Sequence, residues 1–465
     1  MRKHFAALAT FVALCAVSPA FAAPPVGDAA SPLPPLAFTD RTLPNGLRVL
    51  ASENHQTPTV AIYVFYKVGS KDDPPGRSGF AHLFEHLMFK STKNMASEQL
   101  DRLTEDVGGA NNAYTADDVT VYHETVPSNH LERLLWAEAE RMSNLTVDEK
   151  NFKSERAVVQ EEFRQSYAAN PYGDLYLQTT IQGFTKHPYK RPGIGNLAEL
   201  QAATVTDVKA FHKTYYRPDN AVLVVVGDFD PAQLKMWADR YFGAVAKPRG
   251  AIPRVTAVEP PRTAQRHVAV TAPDVPLPAF SATYLTPGVA DADTPALDVL
   301  ASVLGEGESS RLYRALVYDK QIASEVSVES NGNTEAGLFT VLVTAASGEK
   351  LPDLETAAFA EMDKLREEEI TAKELEKAKV SLVGGIVRAR ETVDGTANFL
   401  GVAAVLLGDP SRINTELARV NAVTAADVLR VAKKYLSPMN RVIVSYTAKT
   451  ATVPVAKPDV KKVKP

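Results

Sequence analysis

Apolar positions change their period several times along the chain. From Gly79 to Phe89 they recur at helical spacing, at Phe80, Leu83, Phe84 and Leu87, which predicts a largely buried helix. Upstream, Val60, Ile62, Val64 and Tyr66 alternate as a half-buried strand does, and Asn45-Gly46 predicts a turn inside a hairpin-like stretch from Leu43 to Tyr66. Asp72-Asp73-Pro74-Pro75-Gly76 reads as the loop leading into the helix. Ser97 to Val107 predicts a further helix stopped by Gly108-Gly109, and Asn112 to Tyr122 predicts a strand. A long helical region is expected from Ser128 to Ser166, followed by a loop-rich stretch from Pro171 to Gly195.

The pattern then repeats. Thr204, Asp207, Val208, Lys213, Tyr215, Pro218, Asn220, Val222 and Val224 recur as Thr424, Asp427, Val428, Lys433, Tyr435, Pro438, Asn440, Val442 and Val444, at a constant offset of 220. A helix, a Pro-x-Asn turn and an apolar strand therefore occur twice in one register. Two homologous halves are expected, 37–247 and 262–447, joined by a proline-rich linker at 248–261; about 440 residues suit such a division. The second half opens with strands near Arg266 to Val270 and Phe280 to Leu285 and a helix at Thr294 to Leu304. Strands and helices mix in each half without a dinucleotide-binding pattern, which suits an α+β roll.

Composition changes the picture mainly at the ends. Met1 to Ala22 has a basic start (Arg2, Lys3, His4), an apolar stretch too short to span a bilayer, and Ala20-Phe21-Ala22 as a cleavage site. It is expected to be a signal peptide cleaved after Ala22, which implies a periplasmic or secreted protein. The one cysteine, Cys15, lies within it, so the mature chain is expected to have no disulfides or thiol chemistry. Leu14 before Cys15 argues against a lipoprotein signal. Residues 23–36 and 448–465 are expected to be a disordered leader and tail. Losing Arg2 and Lys3 takes 51 basic residues to 49 against 55 acidic, a net charge of −6, with no basic stripe for nucleic acid and no later membrane span.

The candidate chemistry sits in the first helix. His82 and His86 are four apart and share a face, and Glu85 lies beside them. Two converging imidazoles make half a zinc site, and an adjacent carboxylate can take a proton from a zinc-bound water. A third ligand must come from elsewhere, and the stretch from Glu149 to Phe163 is the best source. Spacing alone does not choose among Glu155, Glu161 and Glu162. Among the remaining histidines of the nine, His123 is expected just past the Asn112–Tyr122 strand as a structural residue, and His130 and His212 on helix surfaces. His187-Pro188-Tyr189 either lines the site or forms a structural loop.

The His-x-x-Glu-His order, followed by Glu155-Arg156 and Glu162, resembles the pitrilysin/insulinase family of zinc peptidases in its mitochondrial-processing-peptidase-like branch. Thr42 to Leu47, Gly108 to Thr115 and His187-Pro188-Tyr189 are similar as well, and the resemblance runs from about Leu43 to Tyr446. It implies domains built as an antiparallel sheet with helices on one face. It implies zinc on His82, His86 and Glu162, with Glu85 as general base and Glu155 as a carboxylate near the site; the corresponding second-half helix, Thr294 to Leu304, holds no histidine, so one metal per chain is expected. It also implies a substrate peptide added as a strand at Asn112 and Ala113.

One segment departs from the family. Active single-chain relatives carry an Arg and a Tyr seven apart that hold the substrate carbonyl, and Val317 and Ser324 stand at those places here. Oxyanion stabilisation is often the largest catalytic term. The expectation is therefore a zinc endopeptidase subunit whose homologous partner supplies Arg and Tyr in a heterodimer enclosing a chamber for peptides. A homodimer using Arg314 and Tyr318 is the rival, and a non-catalytic assembly subunit the reading from another class.

Overall fold

The computed structural model describes residues 33–449; the expected signal peptide, most of the leader and nearly all of the tail lie outside the described residues. Leu36, the last residue of the expected leader, is held by Asn414: its N–H donates to the Asn414 side chain at 2.7 Å, and its carbonyl accepts in return at 3.0 Å.

Eleven strands are described: β1 (Thr39–Thr42), β2 (Arg48–Glu53), β3 (Thr59–Tyr66), β4 (Ala110–Thr115), β5 (Thr120–Pro127), β6 (Ala221–Gly227), β7 (Arg266–Ala272), β8 (Ala279–Pro287), β9 (Ala323–Gly332), β10 (Ala336–Ala345) and β11 (Arg441–Ala448). Two sheets result, in the orders β1-β2-β6-β3-β5-β4 and β7-β11-β8-β10-β9. All pairs are antiparallel except β2 with β6 and β7 with β11, so each sheet contains one parallel pair. Among the helices, α1 (Phe80–Leu87), α2 (Gln99–Glu105), α3 (Leu131–Asn144), α4 (Glu149–Phe163), α5 (Gly173–Gly183), α6 (Leu197–Ala202), α7 (Val205–Tyr215) and α8 (Pro231–Tyr241) belong to the first half. The second half has α9 (Thr294–Gly305), α10 (Leu351–Glu367), α11 (Ala372–Ala389), α12 (Val393–Val405), α13 (Glu416–Ala422) and α14 (Ala425–Tyr435).

The repeated residues do the same work twice. Thr204 and Thr424 each cap a helix through a reciprocal pair of bonds with the Asp three residues on. Asn220 and Asn440 each donate to the carbonyl of the tyrosine five residues earlier, at 2.9 and 2.8 Å, closing the turn into β6 and β11.

The even residues of β3 face the first-half helices: Val60, Ile62, Val64 and Tyr66 pack with Phe80, Leu83, Phe84 and Leu87 of α1. Its odd residues are buried too, and what covers them comes from the other half. Val393, Ala397, Leu400 and Ala404 of α12 pack on Ala61, Tyr63 and Phe65. In return α5 of the first half lies on the second sheet, Leu175 among Ala279, Val444 and Tyr446, with Thr179 Oγ1 2.6 Å from Ser281 Oγ. The offset of 220 carries Gly173–Gly183 onto 393–403, inside α12, so each half sends the same helix across to its neighbour.

Several expectations need correction. Pro171 to Gly195 is loop-rich only in its second half, because α5 fills the first; two threonines and terminal glycines mask it in sequence, and packing on the second sheet stabilises it. Asn112 to Tyr122 is a hairpin, β4 and β5, turning at 116–119, so His123 lies within β5 and not past a strand. The region from Ser128 to Ser166 breaks at 145–148, where Asp148 caps α4 by accepting from Asn151 N–H at 2.8 Å. His212 is not a plain surface residue: its ring stacks on Phe84 and Tyr216, and its Nε2 is buried without a hydrogen-bond partner.

Candidate metal centre

Helix α1 carries His82 and His86 on its half-buried face, their rings 5.0 Å apart and nearly perpendicular. Helix α4 packs alongside and brings Glu162 to them. Its Oε2 lies 3.1 Å from His82 Nε2 and 3.4 Å from His86 Nε2. Ligand atoms of the three residues all lie within 4.8 Å of one another, the one such group of three or more His, Cys, Asp or Glu among the described residues. Tetrahedral ligands about 2.0–2.1 Å from zinc are about 3.3 Å apart, so the carboxylate–imidazole separations suit that ion.

The alternatives that spacing left open are separated by geometry. Glu161 points to solvent and pairs with Arg164 at 2.9 Å. Glu155, two turns before Glu162, is 4 % exposed, and its Oε2 lies 3.9 Å from His86 Nδ1 while Lys90 Nζ stands 3.1 Å from its Oε1. It sits behind His86, on the ring nitrogen turned away from Glu162. Lys90 lies past the end of α1, in the turn that follows it, so no helical spacing marks it in the sequence.

Glu85 Oε2 is 3.2 Å from His82 Nδ1. Burial pushes its carboxyl up, but the hydrogen bond from His82 and the charge of both histidines outweigh this and hold it below its usual range. Burial pushes both imidazoles down. For His82 the hydrogen bonds and charges of Glu85 and Glu162 reverse the effect and raise it; His86, facing His82, stays lowered. Tyr122 on β5 donates to the Phe84 carbonyl at 3.0 Å and pins the middle of α1 to the sheet.

β4 is the edge of its sheet and pairs only with β5. Asn112 is opposite His123 and Ala113 opposite Tyr122, so their side chains fall on opposite faces, Ala113 toward α1. Asn112 Oδ1 accepts from the Ala113 N–H at 2.8 Å. A cleft of about 960 Å³ runs from Thr115, Ala116 and Asp117 at the end of β4 to Glu325, Ser327 and Glu329 on β9. His187 and Tyr189 lie at the seam between the halves: His187 Nε2 donates to Glu335 at 2.6 Å and Tyr189 hydroxyl to Asp118 at 2.7 Å. His123 stacks on Tyr63, rings 4.6 Å apart, with Asp394 3.6 Å away.

In the second half Val317 is half-buried against the core, and Ser324 Oγ donates to the Ala345 carbonyl at 3.1 Å. Arg314 and Tyr318 project from a π-helical turn (Tyr313–Asp319), the Arg314 side chain 71 % exposed and Tyr318 as a residue 72 % exposed.

A His-x-x-Glu-His helix meeting a glutamate from a second helix, on an α+β sheet repeated twice, defines a metallopeptidase-like protein. Comparison with known proteins agrees. The family model "Insulinase (Peptidase family M16)" matches residues 48–192 and "Peptidase M16 inactive domain" matches 202–382. A zinc protease named PqqE from Helicobacter pylori is 32 % identical over 396 residues, covering 85 % of this chain and 89 % of that protein. A probable mitochondrial-processing peptidase subunit beta from Arabidopsis thaliana is 26 % identical over 404 residues, covering 85 % and 75 %. The crystal structure of a protease from Helicobacter pylori superposes with a TM-score of 0.85 at 30 % identity, covering 89 % of this chain and 99 % of that one. The chain belongs to peptidase family M16, the insulinase family.

Proposed function

We propose that this chain is the zinc-bearing subunit of an endopeptidase acting on peptides and unfolded segments. The observation that carries the reading is the convergence of His82, His86 and Glu162 beside Glu85, with the free edge of β4 close by. His82, His86 and Glu162 hold one zinc ion, which when bound supplies Lewis acidity toward water and the scissile carbonyl. Glu85 takes a proton from the attacking water as its oxygen bonds to the carbonyl carbon. The same carboxyl then delivers that proton to the amide nitrogen as the C–N bond breaks. Glu155 and Lys90 keep His86 directed toward Glu162. The backbone of β4 around Asn112 and Ala113 holds the peptide as an added strand, whose main-chain bonds are indifferent to sequence.

Stabilisation of the substrate oxyanion comes from outside the chain. Val317 is apolar and half-buried, and the Ser324 hydroxyl is bonded to a strand carbonyl, so neither offers the charge of an Arg or the phenol of a Tyr, and a homologous partner carrying those two completes the site in a heterodimer. The chain purified alone is expected to bind zinc and cleave a quenched peptide poorly, with a large gain on adding the partner. Full activity alone, abolished by Arg314→Ala, favours a homodimer using Arg314 and Tyr318. Zinc content without hydrolysis under any pairing favours the non-catalytic assembly subunit. The expected N-terminal signal places the mature protein in the periplasm or outside the cell, and N-terminal sequencing of secreted material tests cleavage after Ala22.

A further inference from the structure

Helix α1 has eight residues and cannot hold itself together. It also starts without a cap of its own: the residue before it is Gly79, at φ +94°, and no side chain at that position accepts from the first turn. The free N–H groups are taken by carboxylates from elsewhere. Asp73 Oδ2 accepts from Gly79 N–H at 2.6 Å and Asp73 Oδ1 from Ala81 N–H at 2.9 Å. Glu199 Oε2 on α6 accepts from Ser78 N–H at 2.7 Å. Asp73 is only 2 % exposed.

Asp73 is itself held. Arg191 donates from Nη1 to its backbone carbonyl and from Nη2 to that of Lys71. Four residues further on, Gly195 lies against Gly79 so closely that a Cβ there would come within 2.5 Å of the Gly79 Cα. The start of α1 is thus fixed from two sides, and Ala81, whose N–H the carboxylate takes, immediately precedes His82.

We propose that Asp73 is a positioning residue for the metal site: its carboxylate fixes the first turn of α1 and thereby the direction from which His82 meets His86 and Glu162. A carboxylate is suited to this place because both its oxygens accept and its charge faces the positive end of the helix. An amide of the same shape offers one acceptor and turns two donors toward N–H groups. Burial pushes the Asp73 carboxyl up to about 7, against the backbone N–H groups and Arg191, and the test is therefore run above that value, at pH 8.

The inference rests on the zinc site proposed above. Its test is zinc affinity by chelator competition at pH 8, on the full chain, for wild type, Asp73→Asn and Thr424→Ala. Thr424 caps α14 in the second half, so its loss lowers the unfolding temperature without touching the site. Asp73→Asn is expected to weaken zinc on the order of 10–100-fold, while Thr424→Ala binds it as wild type does. If Asp73→Asn lowers the unfolding temperature yet keeps wild-type affinity, Asp73 is merely structural and the inference is overturned. Should Asp73→Asn not fold, Arg191→Gln, which frees the Asp73 backbone, is expected to weaken zinc as well, and unchanged affinity there overturns the inference equally. Wild-type protein that binds no zinc contradicts the site assignment instead, so the two failures are distinguishable.

Discussion

Gly401 on α12 gives a test of the helix exchange in which two physical effects oppose each other. A Cβ placed on Gly401 would fall 2.0 Å from Phe65 Cε2 and 2.2 Å from Cζ. Ordinary carbon contacts are about 3.5–4.0 Å, so the helix and the sheet must part by more than an ångström or the ring must turn. The ring has nowhere to turn, because Phe65 is fully buried and stacked on Tyr63. Helix propensity alone favours Gly401→Ala by about 1 kcal/mol, and burying the added methyl by about 0.8 kcal/mol. Overpacking costs about 1–3 kcal/mol, and more when nothing yields. At this separation we take the upper end, so the net change is a loss of about 1–2 kcal/mol. The assay is urea unfolding followed by tryptophan fluorescence. Both tryptophans, Trp136 and Trp237, are in the first half, so the signal reports on the half that receives α12. Phe65→Leu should relieve the clash, making the double variant more stable than the two single losses add to. A Gly401→Ala protein as stable as wild type, or additive losses, would refute the packing of α12 on this sheet.

Two further predictions concern buried charge. Arg141, 1 % exposed, donates to Glu124 at 3.1 Å and to Glu138 at 2.8 Å, and burial with the Glu138 charge raises the Glu124 carboxyl well above its usual range. Arg141→Met is therefore expected to cost about 3–5 kcal/mol and Glu124→Gln under about 1 kcal/mol, and equal losses in urea unfolding would contradict this. Burial pushes His212 from 6.5 down to about 4, so its neutral form is the folded one. Its stabilisation is complete above pH 6.5 and is lost as pH falls toward 4, at up to about 1.4 kcal/mol per pH unit. His212→Phe should flatten wild type's pH dependence in that window, and parallel curves would sink the assignment.

The metal helix was legible because its residues serve one local pattern: apolar contacts at helical spacing and two histidines one turn apart. The repeat was legible for a related reason, since Thr424, Asp427 and Asn440 act within a few residues of one another, as their counterparts do. What escaped depends on partners distant in sequence. Nothing near Gly173–Gly183 announces a helix, because the surface that stabilises α5 belongs to strands a hundred or more residues later. Asp73 read as loop, its role set by where the chain folds back at Gly79 and Arg191. Glu162 and Glu161 are neighbours with identical chemistry, and only the rotation of α4 against α1 turns one to the histidines and the other to Arg164.

The central claim is that Glu85 moves the proton while His82, His86 and Glu162 hold the metal. It is tested most directly by quenched-peptide turnover of Glu85→Gln in the proposed heterodimer, with zinc measured on the same sample. An amide beside an intact ligand set cannot accept the proton, so stoichiometric zinc with nearly all turnover lost is predicted. Substantial turnover by that zinc-loaded variant would contradict the account.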